Sequence, residues 1–376
     1  MKKTFFLLAI ILFNLGLFEF ILGMFDPEQI LVKGFDKKLL FRMYPDKTGK
    51  VVSEEYAVLV ETNQNGFRQK IDSNHKYSTL LIGDSFTEGW GVEADEIYSE
   101  ILNQSSKEEK FLNLGLHGSS PILFALQMKY YLETFKPKKV IVQLFDNDLD
   151  DNDKIEIFTE LDKEGKVVSP KQRLGASIFG ESIYNFFKER TLYRLTTKVV
   201  KFFQKQPSPI LYYKVGREPK VKTLSHEESI QKFGKLSPLG KDINVKYGNQ
   251  FGFYKDAEEE LWKSRLRKNE IYLNQILDIC KQNNVELSFL YIPAKEFFAK
   301  GGITGALKDF SSEAHSQKNP HYQQIQKVCK ENQLKCYFTN EYFFDKDPEK
   351  LYFPYDAHLN KEGHRVLAEM ILEKGN

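Results

Sequence analysis

The sequence has few cysteines, almost no net charge and no internal repeats. Its 376 residues include 3 cysteines, and 54 Lys and Arg nearly balance 52 Asp and Glu. It contains no CxxC pair, no cysteine–histidine spacing typical of a metal site and no glycine-rich phosphate loop. A balanced charge gives no sign of nucleic-acid binding. These features imply no metal, no other cofactor and no nucleic-acid partner.

The three cysteines leave two interpretations open. In an exported chain, Cys329 and Cys336 could form a disulfide, which would leave Cys280 as a free thiol. Alternatively, all three are reduced and buried in helices and strands.

The composition otherwise favours a packed globular protein. Hydrophobic residues make up 41% of the chain and charged residues 28%. The aromatic share is high at 14%, with 31 Phe and 19 Tyr. Such a share suits a large core, or a surface that meets lipid or sugar.

One long apolar segment is present, at the N-terminus. It runs from Phe5 to about Phe25 behind Lys2 and Lys3, and a bilayer core needs roughly 20 such residues. Residues 21–23, Ile-Leu-Gly, match the exit site of a cleaved signal peptide poorly. We therefore expect residues 1–26 to form a membrane anchor, with the rest of the chain exported to the periplasm or beyond. A cleaved signal peptide and a buried helix are the alternatives.

Apolar runs alternate with helical patterns along most of the chain. Runs typical of buried strands occupy 78–83, 111–115, 138–145, 285–293 and 335–338, and the segments between them have helical spacing. This alternation predicts an α/β fold: a three-layer α/β/α sandwich around a mostly parallel, flavodoxin-like sheet. The main domain is expected at 76–150 and 262–376.

Two regions fall outside this alternation. Residues 27–75 are an N-terminal extension, and the turn-rich residues 151–261 are an insertion or lid. The insertion includes a candidate aromatic helix over 180–204. One face of that helix would carry a basic stripe, typical either of a solvated surface or of a membrane contact. The stripe consists of Arg194, Lys198, Lys201 and Lys205.

Four polar stretches lie where chemistry is expected in such a sheet. Gly-Asp-Ser (83–85) follows the first strand, NLGLHGSSP (113–121) the second and FDNDLDDN (145–152) the third. The fourth, YDAHLNKEGH (355–364), precedes the last helix. Ligands of open parallel sheets bind outside the carboxyl ends of the strands.

These stretches contain the groups that acyl transfer needs. A serine such as Ser85 requires a base, for which His358 is the candidate, with Asp356 to fix its tautomer. The backbone N–H groups of Ser85 and Gly118 and the amide of Asn147 could hold an oxyanion.

The four stretches together resemble the SGNH, or GDSL-type, hydrolase superfamily. GDSFTEG matches its first block with Ser85, NLGLHG its second with Gly118, and FDND its third with Asn147, where Asp146 replaces a usual glycine. YDAHLNKEGH matches the fourth with His358, one residue shorter than the family's Asp-x-x-His. NGFR, at 65–68, also resembles members of the family. The resemblance covers roughly 63–152 and 262–376, and it implies a Ser-His-Asp triad and an oxyanion hole.

Several of these residues also have structural interpretations. Ser85 could be a plain helix N-cap, and Asp84 is expected to hold its turn rather than act in chemistry. His364 is expected to be a residue of the helix start, and His117 is a candidate substrate neighbour. The acidic run that begins at Asp146 is not an EF-hand, because Asp and Ile stand where Gly and Glu are required.

The sequence as a whole predicts a serine esterase acting on a carboxylic ester, including an O-acetyl ester. Its partners would be an ester-bearing small molecule, lipid or glycan, and a membrane through the N-terminal helix. One alternative is an O-acetyltransferase acting on a cell-surface glycan, which the chain order of the blocks favours less. Another is a glycan- or lipid-binding module that has lost catalysis.

Overall fold

The fold is described from a computed structural model of the chain. The described residues are 2–25, 29–30, 32–69, 76–106, 109–171, 212–216, 219–233, 260–295, 319–347 and 350–375.

The centre of the molecule is a parallel sheet of five strands. They are β6 (Thr79–Ile82), β7 (Phe111–Asn113), β8 (Lys139–Phe145), β12 (Glu286–Ile292) and β13 (Lys335–Phe338). Their spatial order is β7-β6-β8-β12-β13, and every pairing is parallel. In chain order this is the 2-1-3-4-5 arrangement of a doubly wound sheet, whose switch point lies between its first and third strands. The ends of β6 and β8 therefore flank the expected ligand position.

Helices cover both faces of this sheet. On one face lie α4 (Pro121–Phe135), α7 (Glu260–Gln282) and α8 (Pro320–Glu331), and on the other lie α3 (Tyr98–Ser105), α9 (Thr339–Phe344) and α10 (Lys361–Gly375). Successive residues of β6 enter opposite cores, because side chains alternate along a strand. Leu80 and Ile82 belong to the core beneath α4, α7 and α8, and Leu81 belongs to the core beneath α3, α9 and α10. The predicted α/β fold with its parallel sheet is confirmed.

The N-terminal extension is built from short antiparallel strands. They are β1 (Gln29–Ile30), β2 (Lys33–Asp36), β3 (Leu40–Met43), β4 (Thr48–Val52) and β5 (Ala57–Glu61). Strands β2 and β3 pair with each other, and β4 pairs with β5. Many of their apolar side chains belong to the same core as α4 and α7. The extension therefore packs against the main domain.

The insertion contributes a strand to the sheet of the extension. Its described elements are α5 (Asp148–Glu156), which begins before residue 151, β9 (Thr159–Leu161), β10 (Val167–Pro170), β11 (Tyr212–Tyr213) and α6 (His226–Phe233). Strand β11 lies between β1 and β4. The predicted aromatic helix over 180–204 and its basic stripe lie outside the described residues.

The apolar N-terminal segment forms a single helix, α1 (Lys2–Phe25). Its phenylalanines include Phe5, Phe13 and Phe20, which are 76%, 71% and 68% exposed. Asn14 and Glu19 interrupt the apolar run. Within the described ranges, no helix combines the length and the apolar character needed to cross a bilayer. The predicted membrane anchor is thus not supported.

The structure agrees with the first interpretation of the cysteines, in which two form a disulfide and one is free. Cys329, in α8, and Cys336, in β13, form a disulfide, and Cys280 is a buried free thiol.

Candidate active site

Ser85 lies at the carboxyl end of a buried strand. Gly83 follows β6 at a position where any side chain would collide with the Thr87 hydroxyl and the Gln143 amide oxygen. The next residue, Asp84, caps the short helix α2 (Ser85–Glu88), its Oδ1 accepting a 2.9 Å hydrogen bond from the N–H of Phe86. The turn role predicted for Asp84 is confirmed. Ser85 is the first residue of this helix, which directly follows the end of β6 at the switch point between β6 and β8.

Ser85, His358 and Asp356 form one hydrogen-bonded chain. The Oγ atom of Ser85 is 2.7 Å from Nε2 of His358, and Nδ1 of His358 bonds Oδ1 of Asp356. Both His358 and Asp356 are partly buried, with side chains 24% and 21% exposed. The structure therefore brings the three residues predicted as nucleophile, base and acid into direct contact.

The pKa values of His358 and Asp356 suit a general base and the acid that orients it. Burial by itself would lower the pKa of His358, but the adjacent Asp356 carboxylate outweighs it, so the pKa lies above 6.5. Burial would raise the pKa of Asp356, but His358 and the Tyr56 hydroxyl outweigh it, and the pKa lies below 3.8. Asp356 is therefore an anion at neutral pH, and it favours the tautomer of His358 that presents a bare Nε2 to Ser85.

The short Asp-x-His spacing is made possible by a tight turn. Ala357 has a φ of 71°, a left-handed conformation that is uncommon for residues other than glycine. The turn is closed by a 3.1 Å hydrogen bond from the N–H of Ala357 to the carbonyl of Phe353, and by one of 2.8 Å from the N–H of Phe353 to the carbonyl of His358. Because the backbone reverses at Ala357, Asp356 and His358 can meet although only one residue separates them.

The remaining predicted residues lie at the same edge of the sheet. Gly118 and Asn147 follow β7 and β8, the two neighbours of β6. The N–H groups of Ser85 and Gly118 donate to no atom of the described residues. Asn147 donates one 2.9 Å hydrogen bond from Nδ2 to Asp151, which leaves the second hydrogen of its NH₂ group available. The edge thus offers three donors that a substrate oxygen could use.

Asp146 and His364, which lie in the third and fourth polar stretches, have structural roles. The carboxylate of Asp146 accepts hydrogen bonds from the Tyr291 hydroxyl, the Asn319 amide and the Ala294 N–H, at 2.7, 2.9 and 3.1 Å. It therefore joins the ends of β8 and β12. His364 is buried against Tyr98, and burial lowers its pKa to about 3. The prediction that His364 is structural is confirmed.

Aromatic side chains lie next to the base. The Trp90 ring centroid is 6.2 Å from that of His358 and 5.7 Å from that of His117. The Tyr212 hydroxyl, from the insertion, is 3.2 Å from Nδ1 of His117. His117, a candidate substrate neighbour, is thus held in an aromatic cluster next to His358.

Solved structures similar to this one include lipolytic proteins and esterases. A member of the lipolytic protein G-D-S-L family from Veillonella parvula is 14% identical, covering 78% of this chain and 96% of its own, with a TM-score of 0.34. The esterase EstA from Pseudoalteromonas is 8% identical, covering 79% and 96%, with a TM-score of 0.38. The acetyl xylan esterase AlAXEase is 10% identical, covering 78% and 98%, with a TM-score of 0.39. No protein-family model and no curated protein matches the chain. At these identities and TM-scores the reaction has to be inferred from the site itself.

Sequence reasoning missed the supports that the extension provides. Both backbone N–H groups of Tyr355 and Asp356 donate to the Glu55 carboxylate, at 2.8 and 2.7 Å. The hydroxyl of Tyr56 donates to the second oxygen of Asp356 at 2.6 Å. These residues lie in the turn between β4 and β5, where the pattern Ser-Glu-Glu-Tyr is ordinary turn sequence. No local signal could have linked them to residue 356.

Proposed function

We propose that the protein is a serine hydrolase that cleaves carboxylic esters. The observation that carries the proposal is the 2.7 Å contact between Ser85 Oγ and His358 Nε2, with Asp356 on the opposite ring nitrogen. A serine hydroxyl is a weak nucleophile unless a base lies within hydrogen-bond reach and is itself oriented by a third group. Ser85 meets both conditions.

The reaction would proceed through two acyl-transfer steps. His358 Nε2 takes the proton of Ser85 as Oγ attacks the ester carbonyl carbon. The negative charge that develops on the carbonyl oxygen is held by the N–H groups of Ser85 and Gly118 and by Nδ2 of Asn147. His358 then gives its proton to the departing alcohol, which leaves an acyl group on Ser85. Water, deprotonated by His358, attacks this acyl group and restores the free serine.

The finer assignment is a substrate whose acyl group is small, including acetyl, attached to a small molecule, lipid or glycan. Support comes from the aromatic cluster of Trp90, His117 and Tyr212 next to His358, whose rings could contact an acyl or alcohol group. Comparing the kcat/KM of acetyl, butyryl and octanoyl esters tests this assignment. A preference for octanoyl over acetyl would contradict it.

Labelling with a fluorophosphonate probe tests the proposed nucleophile. We expect wild type to be labelled and to hydrolyse p-nitrophenyl acetate, and Ser85→Ala to lose labelling and at least about 10³-fold in kcat. Ser105→Ala, at an exposed serine of α3, should behave like wild type. Labelling that survives in Ser85→Ala, or a folded wild type that neither labels nor turns over, would contradict the proposal.

Export of the protein is a separate part of the proposal. The Cys329–Cys336 disulfide supports it, because disulfides persist in oxidising compartments and are rare in the cytosol. Protein isolated from its native cells, unfolded and alkylated without reductant, should react at Cys280 alone. Alkylation of all three cysteines would argue against export.

A further inference from the structure

The backbone of His117 is held by two charged side chains, one at its carbonyl and one at its N–H. The ammonium group of Lys33 donates a 2.5 Å hydrogen bond to the carbonyl oxygen of His117. The carboxylate of Glu88 accepts a 2.5 Å hydrogen bond from the His117 N–H, and the same oxygen lies 2.8 Å from Nδ1 of the His117 ring. Lys33 therefore binds the carbonyl of His117, and Glu88 binds its N–H.

The contact between Lys33 and the His117 carbonyl determines the direction of the Gly118 N–H. The carbonyl of His117 and the N–H of Gly118 belong to the same planar peptide group, and in a trans peptide they point in opposite directions. Fixing the carbonyl on Lys33 therefore fixes the direction of the N–H. The positive charge of the Lys33 ammonium group, next to the carbonyl oxygen, also polarises the peptide group, which makes its N–H a stronger donor.

Lys33 lies close enough to Gly118 for this effect. A first side-chain carbon on Gly118 would be 3.7 Å from Nζ of Lys33. Gly118 has a φ of 64°, in the left-handed region where glycine is favoured, and it is exposed. Its N–H donates to no atom of the described residues, so it remains available to a substrate.

Glu88 ties the same loop to the nucleophile. It is the last residue of α2, the helix that Ser85 opens, and it is 1% exposed. Gly115 packs so closely on this helix that any side chain there would collide with the Glu88 backbone. The loop that carries Gly118 is thus anchored to the helix of Ser85 on one side and to β2 of the extension on the other.

On the basis of the proposed ester hydrolysis, we propose that Lys33 is a positioning residue of the oxyanion hole. Its ammonium group orients the His117–Gly118 peptide so that the N–H of Gly118 meets the developing oxyanion. Lys33 itself does not touch the reacting atoms. The extension would then supply a part of the site that lies outside the family-like blocks.

Substitution of Lys33 tests this role. Lys33→Met keeps most of the stem but removes the charge and the donor, and we expect kcat to fall by about 10- to 100-fold with KM changed less than about twofold. The expected loss is smaller than the 10²- to 10³-fold cost of deleting an oxyanion donor, because Gly118 keeps its N–H. Lys33→Arg should recover part of the loss. Lys38→Met, at an exposed lysine of the neighbouring turn, is the matched control and should match wild type.

A boronic acid that forms a tetrahedral adduct with Ser85 gives a second measurement. Its inhibition constant should rise in Lys33→Met by the same factor as kcat/KM falls, because both depend on the oxyanion donors. Unchanged kcat in a folded Lys33→Met, or a rise in KM alone, would overturn the role of Lys33. Either result would leave the ester hydrolysis of wild type standing, whereas an inactive wild type would contradict the proposed function itself.

The pH dependence of wild type keeps the proposal falsifiable even if Lys33→Met does not fold. Burial outweighs the attraction of Glu88 and Asp151, which face Lys33 from α2 and α5, and lowers its pKa to about 8. The Phe41 ring of β3 also faces the ammonium group, at 5.2 Å. Lys33 is charged below this pKa, so kcat should fall as pH rises through about 8. In Lys33→Arg this fall should disappear, because arginine stays protonated. A fall that remains unchanged in Lys33→Arg would overturn the proposal.

Discussion

The hydroxyl group of Tyr56 donates a 2.6 Å hydrogen bond to Oδ2 of Asp356, 300 positions further along the chain. The same hydroxyl accepts a 2.8 Å hydrogen bond from Nε1 of Trp90. Since Oδ1 of Asp356 bonds His358, both oxygens of the carboxylate are occupied. The extension therefore fixes the acid that orients the proposed base.

Tyr56→Phe tests the importance of this contact. One lost hydrogen bond to a charged group should lower kcat/KM by about tenfold, and the pKa of Asp356 should rise because the Tyr56 bond lowers it. The buried Trp90 indole would also lose its acceptor, which should reduce the free energy of unfolding by about 1–3 kcal/mol. Urea denaturation and steady-state kinetics measure the two effects. Tyr130→Phe, at an exposed tyrosine, should change neither.

The pH dependence of hydrolysis should report His358. The base must be neutral to accept the Ser85 proton, and its pKa lies above 6.5 because Asp356 outweighs burial. The kcat/KM value should therefore be low in acid and rise through a pKa above 6.5. In Asp356→Asn this rise of kcat/KM should move to lower pH, and kcat should fall on the order of 10⁴-fold. A rise of kcat/KM at the same pH in Asp356→Asn as in wild type would show that another group controls the rate.

Much of this arrangement could be predicted from sequence because it depends on local patterns. Buried parallel strands appear as short apolar runs, and Ser85, Gly118 and Asn147 each lie two or three residues after such a run. His358 precedes a helix with clear apolar spacing. Where strands are parallel, their carboxyl ends meet at one edge, so the amino-acid sequence alone was enough to predict that these residues lie together.

The supports of the site could not be predicted in this way. Lys33 comes from β2, and Glu55 and Tyr56 come from the turn between β4 and β5. All three reach the site through contacts between segments far apart in sequence. Their residue types are common in turns and at surfaces. The N-terminal apolar segment is a different case: its run of hydrophobic residues predicts a membrane anchor, whereas no helix of the described residues combines the length and apolar character needed to cross a bilayer.

The backbone at Ala357 gives a third prediction. Its φ of 71° is accessible to glycine at little cost, while a β-branched side chain is strongly disfavoured there. Ala357→Gly should keep kcat within about threefold, because glycine can hold the same turn and keep Asp356 against His358. Ala357→Val should force the turn open, separate Asp356 from His358 and lower kcat by about 100-fold or more. Steady-state kinetics on both variants decides the matter, and equal activities would mean that the turn is unimportant.

Arg68, in the NGFR stretch, supports the other side of the site. It is 4% exposed, and its guanidinium group donates to the carbonyls of Gly89, Leu59 and Val92. Two of these carbonyls flank Trp90, whose ring lies against His358. Lysine presents a compact ammonium group and cannot reproduce the planar fork of arginine, so Arg68→Lys would leave buried carbonyls without donors.

We expect Arg68→Lys to reduce the free energy of unfolding by about 3 kcal/mol, because each buried carbonyl without a donor costs about 1 kcal/mol or more. Urea denaturation measures this change, with Arg42→Lys as the control, since the Arg42 side chain is 39% exposed and pairs with Asp36 at the surface. Activity of the folded variant should also fall, because the Gly89–Val92 turn positions Trp90 beside the base. An Arg68→Lys variant as stable as wild type would mean that a single ammonium group satisfies this cluster of carbonyls, and NGFR would then have no structural role at the site.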